Sequence, residues 1–413
     1  MRELIWAVLI FLPSLTTQQC LTSSDSKPMD VNAREYLSTG EQQFTLNMIK
    51  LVNRQRQTEN VFFSPFGIYN ALLLAYFTAN GNTEASIKQV LGLPANHDKA
   101  NTMQVYKLER YYQKAREYNT SSYEFSMANR LFISPTEEVK ECMKSLFEEE
   151  IKVTDFSKNP VKEINQWVSN LTRDQIKDFL PENSLDPNSK LVLVNAAYFK
   201  GMWTTKFVKG DTKKEVFYIS NSNTTFVTMM KVKSTFNHMV SEKLGAHILE
   251  LPYQGDAISM FIMLPPFASP NGVTNILERL TLNTLKEVIN NNTVSRLVEV
   301  KVPKFTIEHE LDLVPVLEQL NVGDLFKDTS DLTGLTGKPG IHLDSALHKS
   351  KVSLDEDGTT AASATAFFSF RSSRPLEPAR FYCNHPFVYF IYDHISKNIL
   401  FIGVFNKPTE TTT

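Results

Sequence analysis

The chain has 413 residues, with 43 Lys+Arg against 45 Asp+Glu, a formal net charge of -2, 42 % apolar and 21 % charged residues. These values describe a globular chain and exclude wholesale disorder, and only 15 Gly and 19 Pro exclude a collagen-like or linker-dominated architecture. The near-neutral balance removes the bulk electrostatic argument for a nucleic-acid partner.

The N-terminus carries Arg2 and Glu3, then an uncharged apolar run from Leu4 to Leu12, then Pro13 and a polar stretch to Cys20. That pattern predicts a secretory leader over residues 1–20, cleaved between Thr16 and Leu21. Its apolar run covers about half a bilayer core, so it is no membrane anchor; the other reading is a buried N-terminal helix. No later window is apolar enough to span a membrane, so a soluble, secreted, monomeric protein is expected. With Cys20 leaving in the leader, Cys142 and Cys383 are expected as partly buried free thiols, since two Cys make no disulfide scaffold. Four Asn-X-Ser/Thr sequons, at Asn119, Asn170, Asn223 and Asn291, are glycosylation sites if the leader functions.

Phe44, Met48, Leu51 and Val52 recur at helical spacing. Val61–Phe63 is a short apolar strand, and Ser64-Pro65 starts a helix with Ser64 as N-cap. A further helix begins at Thr83-Glu84 and stops near Gly92 and Pro94. Tyr123 to Ser134 alternates as a strand; Glu137 to Glu149 and Pro160 to Phe179 read as helices. Lys190 to Lys200 is almost wholly apolar inside, as a strand buried on both faces would be. Strands dominate from Glu215 to Leu264. Gly272 to Asn290 is helical, Leu297 to Glu308 a strand, Leu311 to Leu320 a helix, His342 to Leu354 a strand, and Phe387 to Phe405 a hairpin. This is an α+β pattern with no linker, hence one domain over about 35–408.

Enzyme motifs are missing. The sequence has no Gly-X-Ser-X-Gly elbow, no Gly-X-Gly-X-X-Gly loop, no Cys-X-X-Cys and no zinc-helix His pair, so no metal or cofactor is expected. The segment that needs explaining is Gly358 to Ala366, which holds nothing larger than Thr and lies between two buried-looking strands. On composition alone it is an exposed loop with incidental arginines downstream. Its small residues would also let it slide between packed strands, and its threonines suit a strand.

Several motifs in order resemble the serpin family. They are Asn60-Val-Phe-Phe-Ser-Pro-Phe66, Asn195-Ala-Ala-Tyr-Phe-Lys-Gly-Met-Trp203, Val302-Pro-Lys-Phe305, Leu347-His-Lys349 and Phe381-Tyr-Cys-Asn-His-Pro-Phe387. The resemblance covers about Glu35 to Pro408. It implies three β-sheets, about nine helices and an exposed reactive loop in a metastable native state. It also implies an inhibitor, not an enzyme, that traps a serine protease as an acyl-enzyme while the cleaved loop inserts into the main sheet. The loop hinge would be Glu356, Gly358, Thr359, Thr360, Ala361, Ala362, Ser363 and Ala364. Glu356 would be the hinge-base glutamate and Lys304 its ion-pair partner. Ser64, Asn195 and His348 would form the polar cluster where the sheet opens, with Lys304 grouped beside them. Gly67 departs from the family's usual Ser, leaving that cluster one hydroxyl short. A carrier or chaperone without inhibitory activity is the alternative.

Counting sixteen residues from Glu356 as the family does gives a Ser372-Ser373 bond, suited to an elastase-like protease. One residue earlier, Arg371-Ser372 offers a charged anchor for a trypsin-like S1 pocket, and this bond is the preferred one. Lys107, Arg110 and Lys114 share a face of an expected helix. Several relatives bind heparin through a basic helix in this part of the chain, which would make a glycosaminoglycan a cofactor. With Glu109 and Glu117 interleaved, the same face also reads as ordinary solvated surface.

Overall fold

The run Leu191–Gly201, apolar on both faces in the sequence, is the middle strand of a five-stranded sheet. The structure is a computed structural model that describes residues 20–21, 30–119, 123–267, 269, 271–290, 294–357 and 377–408. In chain order its elements begin with α1 (Ala33–Gln55), β1 (Val61–Phe63), α2 (Pro65–Thr78), α3 (Gly81–Val90), α4 (Lys99–Asn119) and β2 (Tyr123–Ile133). Next come α5 (Glu141–Leu146), β3 (Ile151–Val153), α6 (Val161–Leu171), β4 (Leu191–Gly201), β5 (Lys213–Tyr218), β6 (Thr224–Ser241), β7 (Ala246–Pro252) and β8 (Ile258–Leu264). Then follow α7 (Gly272–Arg279), α8 (Leu282–Asn290), β9 (Val294–Pro303), β10 (Phe305–Asp312), α9 (Val314–Gln319) and α10 (Thr333–Thr336). The last four are β11 (Ser345–Leu354), β12 (Ala379–Tyr382), β13 (Phe387–Asp393) and β14 (Asn398–Phe405).

The five-stranded sheet runs β10-β11-β4-β2-β3. β4 is antiparallel to β2 but parallel to β11, so a parallel seam lies inside an otherwise mixed sheet. The second sheet runs β1-β14-β13-β8-β7-β6-β9-β12, with β5 also on β6. The 18-residue β6 pairs β5 and β9 along its length and β7 at its end. It thereby joins into one hydrogen-bonded sheet what the resemblance implies as two of three. Ten α-helices appear among the described residues, three of them of six residues or fewer.

Helix α2 is buried at every position except Phe66, which places it between the sheets. Its N-terminus is made as the sequence dictates: the Ser64 hydroxyl accepts from the Gly67 amide, and Pro65 occupies the first turn. One apolar core lies around α1 and α2, a second between the sheets and a third beneath α6.

Several element boundaries differ from the sequence reading. The helix expected over Glu137 to Glu149 is only Glu141–Leu146. The one expected to reach Phe179 stops at Leu171, because Arg173 and Asp174 take left-handed backbone angles of 51° and 60°. Gly272 to Asn290 breaks in two, since Leu280 turns extended and the Thr281 hydroxyl accepts from the Thr284 amide to start α8. The strand over Leu297 to Glu308 breaks at Pro303-Lys304 and its halves enter different sheets; a proline has no N–H to continue a ladder.

The free-thiol expectation is corrected for Cys142, which is disulfide-bonded to Cys20 across a separation of 122 residues. Cys383 is a buried free thiol, its pKa driven well up by burial. Among the described residues no helix is long and apolar enough to cross a membrane, and no group of His, Cys, Asp and Glu could hold a metal ion.

Candidate functional site

Asn195 of β4 and His348 of β11 face each other across the parallel seam. The His348 ring is fully buried, and its Nε2 accepts the Ser64 backbone N–H at 3.0 Å. That assignment leaves Nδ1 to carry the proton, which it donates to Asn195 Oδ1 at 2.6 Å. Burial, with a smaller push from His309, lowers the imidazole pKa to about 3, so the ring is neutral at physiological pH. The Ser64 hydroxyl donates to the Leu400 carbonyl of β14 at 2.7 Å. One buried cluster thus ties together both strands of the seam, the start of α2 and the second sheet.

Gly67 completes this cluster by having no side chain. A Cβ there would lie 2.8 Å from Asn195 Oδ1 and 3.1 Å from Ser64 Oγ. The Asn195 Nδ2 beside it is buried without a hydrogen-bond partner. Ser350, which the sequence reading passed over, is a further member: fully buried on β11, it donates to the Phe62 carbonyl at 3.1 Å. Its signal was its position, two residues beyond His348 and so on the same face of the strand.

Lys304 does not join this cluster, a correction to its grouping above. It sits at the β9–β10 break, where its N–H donates to Thr228 O and its Nζ bonds Glu356 Oε2 at 2.7 Å. Burial works to raise the Glu356 pKa, but the hydrogen bond from Lys304 and further donors outweigh it, and the carboxyl lies below its ordinary value. The stretch Asp355–Asp357 after β11 is pinned on several sides. The Trp203 indole N–H donates to Asp355 O at 3.0 Å, and the Phe207 N–H to Glu356 O at 3.0 Å. Asp357 pairs with Lys209 and Lys206. The Trp203 ring that anchors this stalk stacks on Tyr253 at 4.3 Å. Glu377 and Pro378 lead into β12, which is parallel to β9. Hinge residues Gly358, Thr359, Thr360, Ala361, Ala362, Ser363 and Ala364, and the bond residues Arg371, Ser372 and Ser373, lie outside the described residues.

On α4, Lys107 is exposed. Arg110 pairs with Glu150 at 3.3 Å and Glu149 at 3.7 Å, and Lys114 bonds Glu149 at 2.6 Å. The basic face expected for heparin is therefore partly neutralised by two acids from the segment leading into β3. Asn170 and Asn223 are exposed; the side chains of Asn119 and Asn291 lie outside the described residues.

The family model for serpins, described as serine protease inhibitors, matches residues 39–408. Serine protease inhibitor 88Ea of Drosophila melanogaster is 38 % identical, with 92 % of each chain covered. Human Serpin B3 is 34 % identical over 90 % of this chain and 99 % of its own. Leukocyte elastase inhibitor of Equus caballus is 34 % identical over 91 % of this chain and 100 % of its own. Among solved structures, maspin superposes with a TM-score of 0.81 at 27 % identity, and Serpin48 of the insect Tenebrio molitor with 0.76 at 26 %. Maspin is matched over 91 % of this chain and 100 % of its own, Serpin48 over 91 % and 99 %. With the seam, the stalk and the family model in agreement over nearly its whole length, the chain belongs to the serpins, a family of protease inhibitors and not of enzymes.

Proposed function

We propose that the protein is a secreted suicide-substrate inhibitor of a trypsin-like serine protease. The observation that carries the reading is the parallel seam between β4 and β11, with β11 running directly into the small-residue segment. A chain that turns back from the end of β11 is antiparallel to β11, and therefore also to β4. Between those two strands it completes antiparallel ladders on both sides, the stronger pairing. On the order of ten new ladder bonds at roughly 0.5–1.5 kcal/mol each, net, would drive insertion.

The protease serine attacks the carbonyl of Arg371, forming an ester and releasing Ser372 as a new amino terminus. The loop from Gly358 onward then inserts, carrying the ester with it, and distortion of the protease stalls deacylation. Thr359-Thr-Ala-Ala-Ser-Ala364 is small enough to pass between strands, and Arg371 supplies the cation an acidic S1 pocket binds. The Cys20–Cys142 disulfide supports passage through an oxidising compartment, and it requires the leader to end before Cys20, within the Thr16–Leu21 window. Asn119, Asn170, Asn223 and Asn291 are then available for glycosylation.

A second reading, cleavage at Ser372-Ser373 by an elastase-like enzyme, is favoured by the relatives named leukocyte elastase inhibitor. Mixing the protein with trypsin and with elastase, then running denaturing gels and mass-mapping the released peptide, separates the readings. An SDS-stable band with trypsin and a peptide beginning at Ser372 supports the first; a peptide beginning at Ser373 supports the second. Cleavage by both without a stable complex overturns inhibition. Thr359→Arg should convert trapping into simple cleavage.

A further inference from the structure

A cleft of about 620 Å³, lined by none of the seam residues, lies between the end of α1, the β5–β6 turn, the start of α7 and the start of β13. Among the described residues no carboxylate, lysine or arginine lines it. Its polar lining is instead amide and hydroxyl: Asn53, Gln57, Asn221 and Asn271 contribute side-chain amides, and serines and threonines fill the gaps. Each amide offers both donors and an acceptor, the pairing that a sugar's vicinal hydroxyls use. Asn53 is only 4 % exposed, and its Oδ1 is buried behind the cleft wall without a hydrogen-bond partner.

One wall is aromatic. The Phe267 ring is 57 % exposed, yet it is held in place between Tyr218 at 5.0 Å and His385 at 5.4 Å, both edge-to-face. The His385 ring is itself fixed, by contacts at 2.8 Å to Pro265 O and 2.9 Å to Asn384 Oδ1. An exposed but immobilised ring beside an uncharged field of amides and hydroxyls fits a ligand with an apolar face and a hydroxylated rim.

We infer that this cleft is a site for a neutral saccharide, and that its occupant is the core of an N-linked glycan carried by Asn223 of the same chain. Asn223 is exposed and belongs to a sequon. Its backbone closes a turn with Ser220 through two hydrogen bonds, and Ser220 and Asn221 line the cleft. Two residues along the chain span at most about 7 Å, so the first sugars reach the cleft without any backbone movement. The inference rests on the secreted reading for its glycan, and on the geometry alone for its ligand class.

The test compares full-length protein from a glycosylating secretory host with glycan-free protein from bacteria. Mass mapping should find Asn223 occupied. Glycosidase release of that glycan from native wild type should be at least fivefold slower than from Phe267→Ala. Glycan-free wild type should bind di-N-acetylchitobiose by saturation-transfer NMR, and Phe267→Ala and Asn221→Ala should lose the signal. An empty Asn223 with chitobiose still bound overturns the same-chain source and leaves a sugar from another glycoprotein. Equal release rates together with no chitobiose binding overturn the site. Trypsin trapping by glycan-free Phe267→Ala at the wild-type level shows that the variant is folded; loss of trapping in wild type counts against the inhibitor reading and not against the cleft.

Discussion

His348 Nδ1 and Asn195 Oδ1 lie 2.6 Å apart across the parallel seam, and this bond joins the two strands that loop insertion would separate. Because the other imidazole nitrogen accepts from Ser64, removing the ring orphans two buried groups at once. His348→Ala should therefore destabilise the protein by about 2–5 kcal/mol, the sum of a cavity and unpaired polar groups. The urea midpoint measures it, and a shift equivalent to under 1 kcal/mol would show that the cluster contributes little. Self-association on mild heating should rise in parallel, since the seam is held less firmly.

Acid should weaken the protein before it protonates the seam. The unfolded His348 titrates near 6.5 and the folded ring near 3, so between those values the unfolded chain binds one more proton. Stability then falls as pH falls, by about 2 kcal/mol at pH 5 from this group alone. His238 and His309, both lowered to about 4, add in the same direction. Urea titrations at pH 7.5, 6 and 5 should show the decline, and His348→Gln should make it shallower, leaving the share of His238 and His309.

Glu41 has the opposite sign. It is buried in α1, where its carboxyl accepts from the Ile399 N–H at 3.1 Å and the Thr45 hydroxyl at 2.8 Å, and burial pushes its pKa up to about 8. Between pH 4.5 and 8 the folded protein holds a proton that the unfolded chain has lost, so stability falls as pH rises through that window. Glu41→Gln keeps an acceptor for Ile399 and should raise the melting temperature at pH 8, with little change at pH 5. A uniform loss at both values would refute the assignment.

Gly67 should not accept a side chain cheaply. Gly67→Ala puts a methyl group 2.8 Å from Asn195 Oδ1, and overpacking of this kind costs about 1–3 kcal/mol. Gly67→Ser could recover part of that loss by offering an acceptor to the unpaired Asn195 Nδ2. Serine should therefore be the better tolerated of the two in thermal melts, although it is the larger.

Cys20→Ser and Cys142→Ser should destabilise equally, and the double variant no further. A cross-link over 122 residues constrains the unfolded chain by about 4–5 kcal/mol in the loop-entropy picture. Melting with and without reductant checks this, because the reductant should affect wild type alone.

The frame of the fold was legible where residue pattern and burial coincide. The apolar run of β4 read correctly because it is covered on both faces, and Ser64-Pro65 gave the start of α2 through local chemistry. The Lys304–Glu356 pair was reachable only through the resemblance, since 52 residues separate its members. Cys20–Cys142 was not legible at all. Pairing over such a distance is set by tertiary packing, and Cys20 stands in a segment whose composition resembles a leader. Glu149 and Glu150, which neutralise Arg110 and Lys114, were hidden for the same reason.

The pairing of β1 with β14 has a consequence for synthesis. Val61 meets Val404, and α1 meets the same end of the chain through Glu41 to Ile399 and Gln42 to Lys397. The early elements α1 and β1 therefore complete part of their packing, and β1 its strand pairing, only when the last strand is made. At about 5–20 residues per second, residues 33–63 wait on the order of twenty seconds or longer for the strand that covers them. Through that interval part of their apolar surface stays uncovered, and a stop codon before Ile402 would leave the second sheet without its β1–β14 pairing.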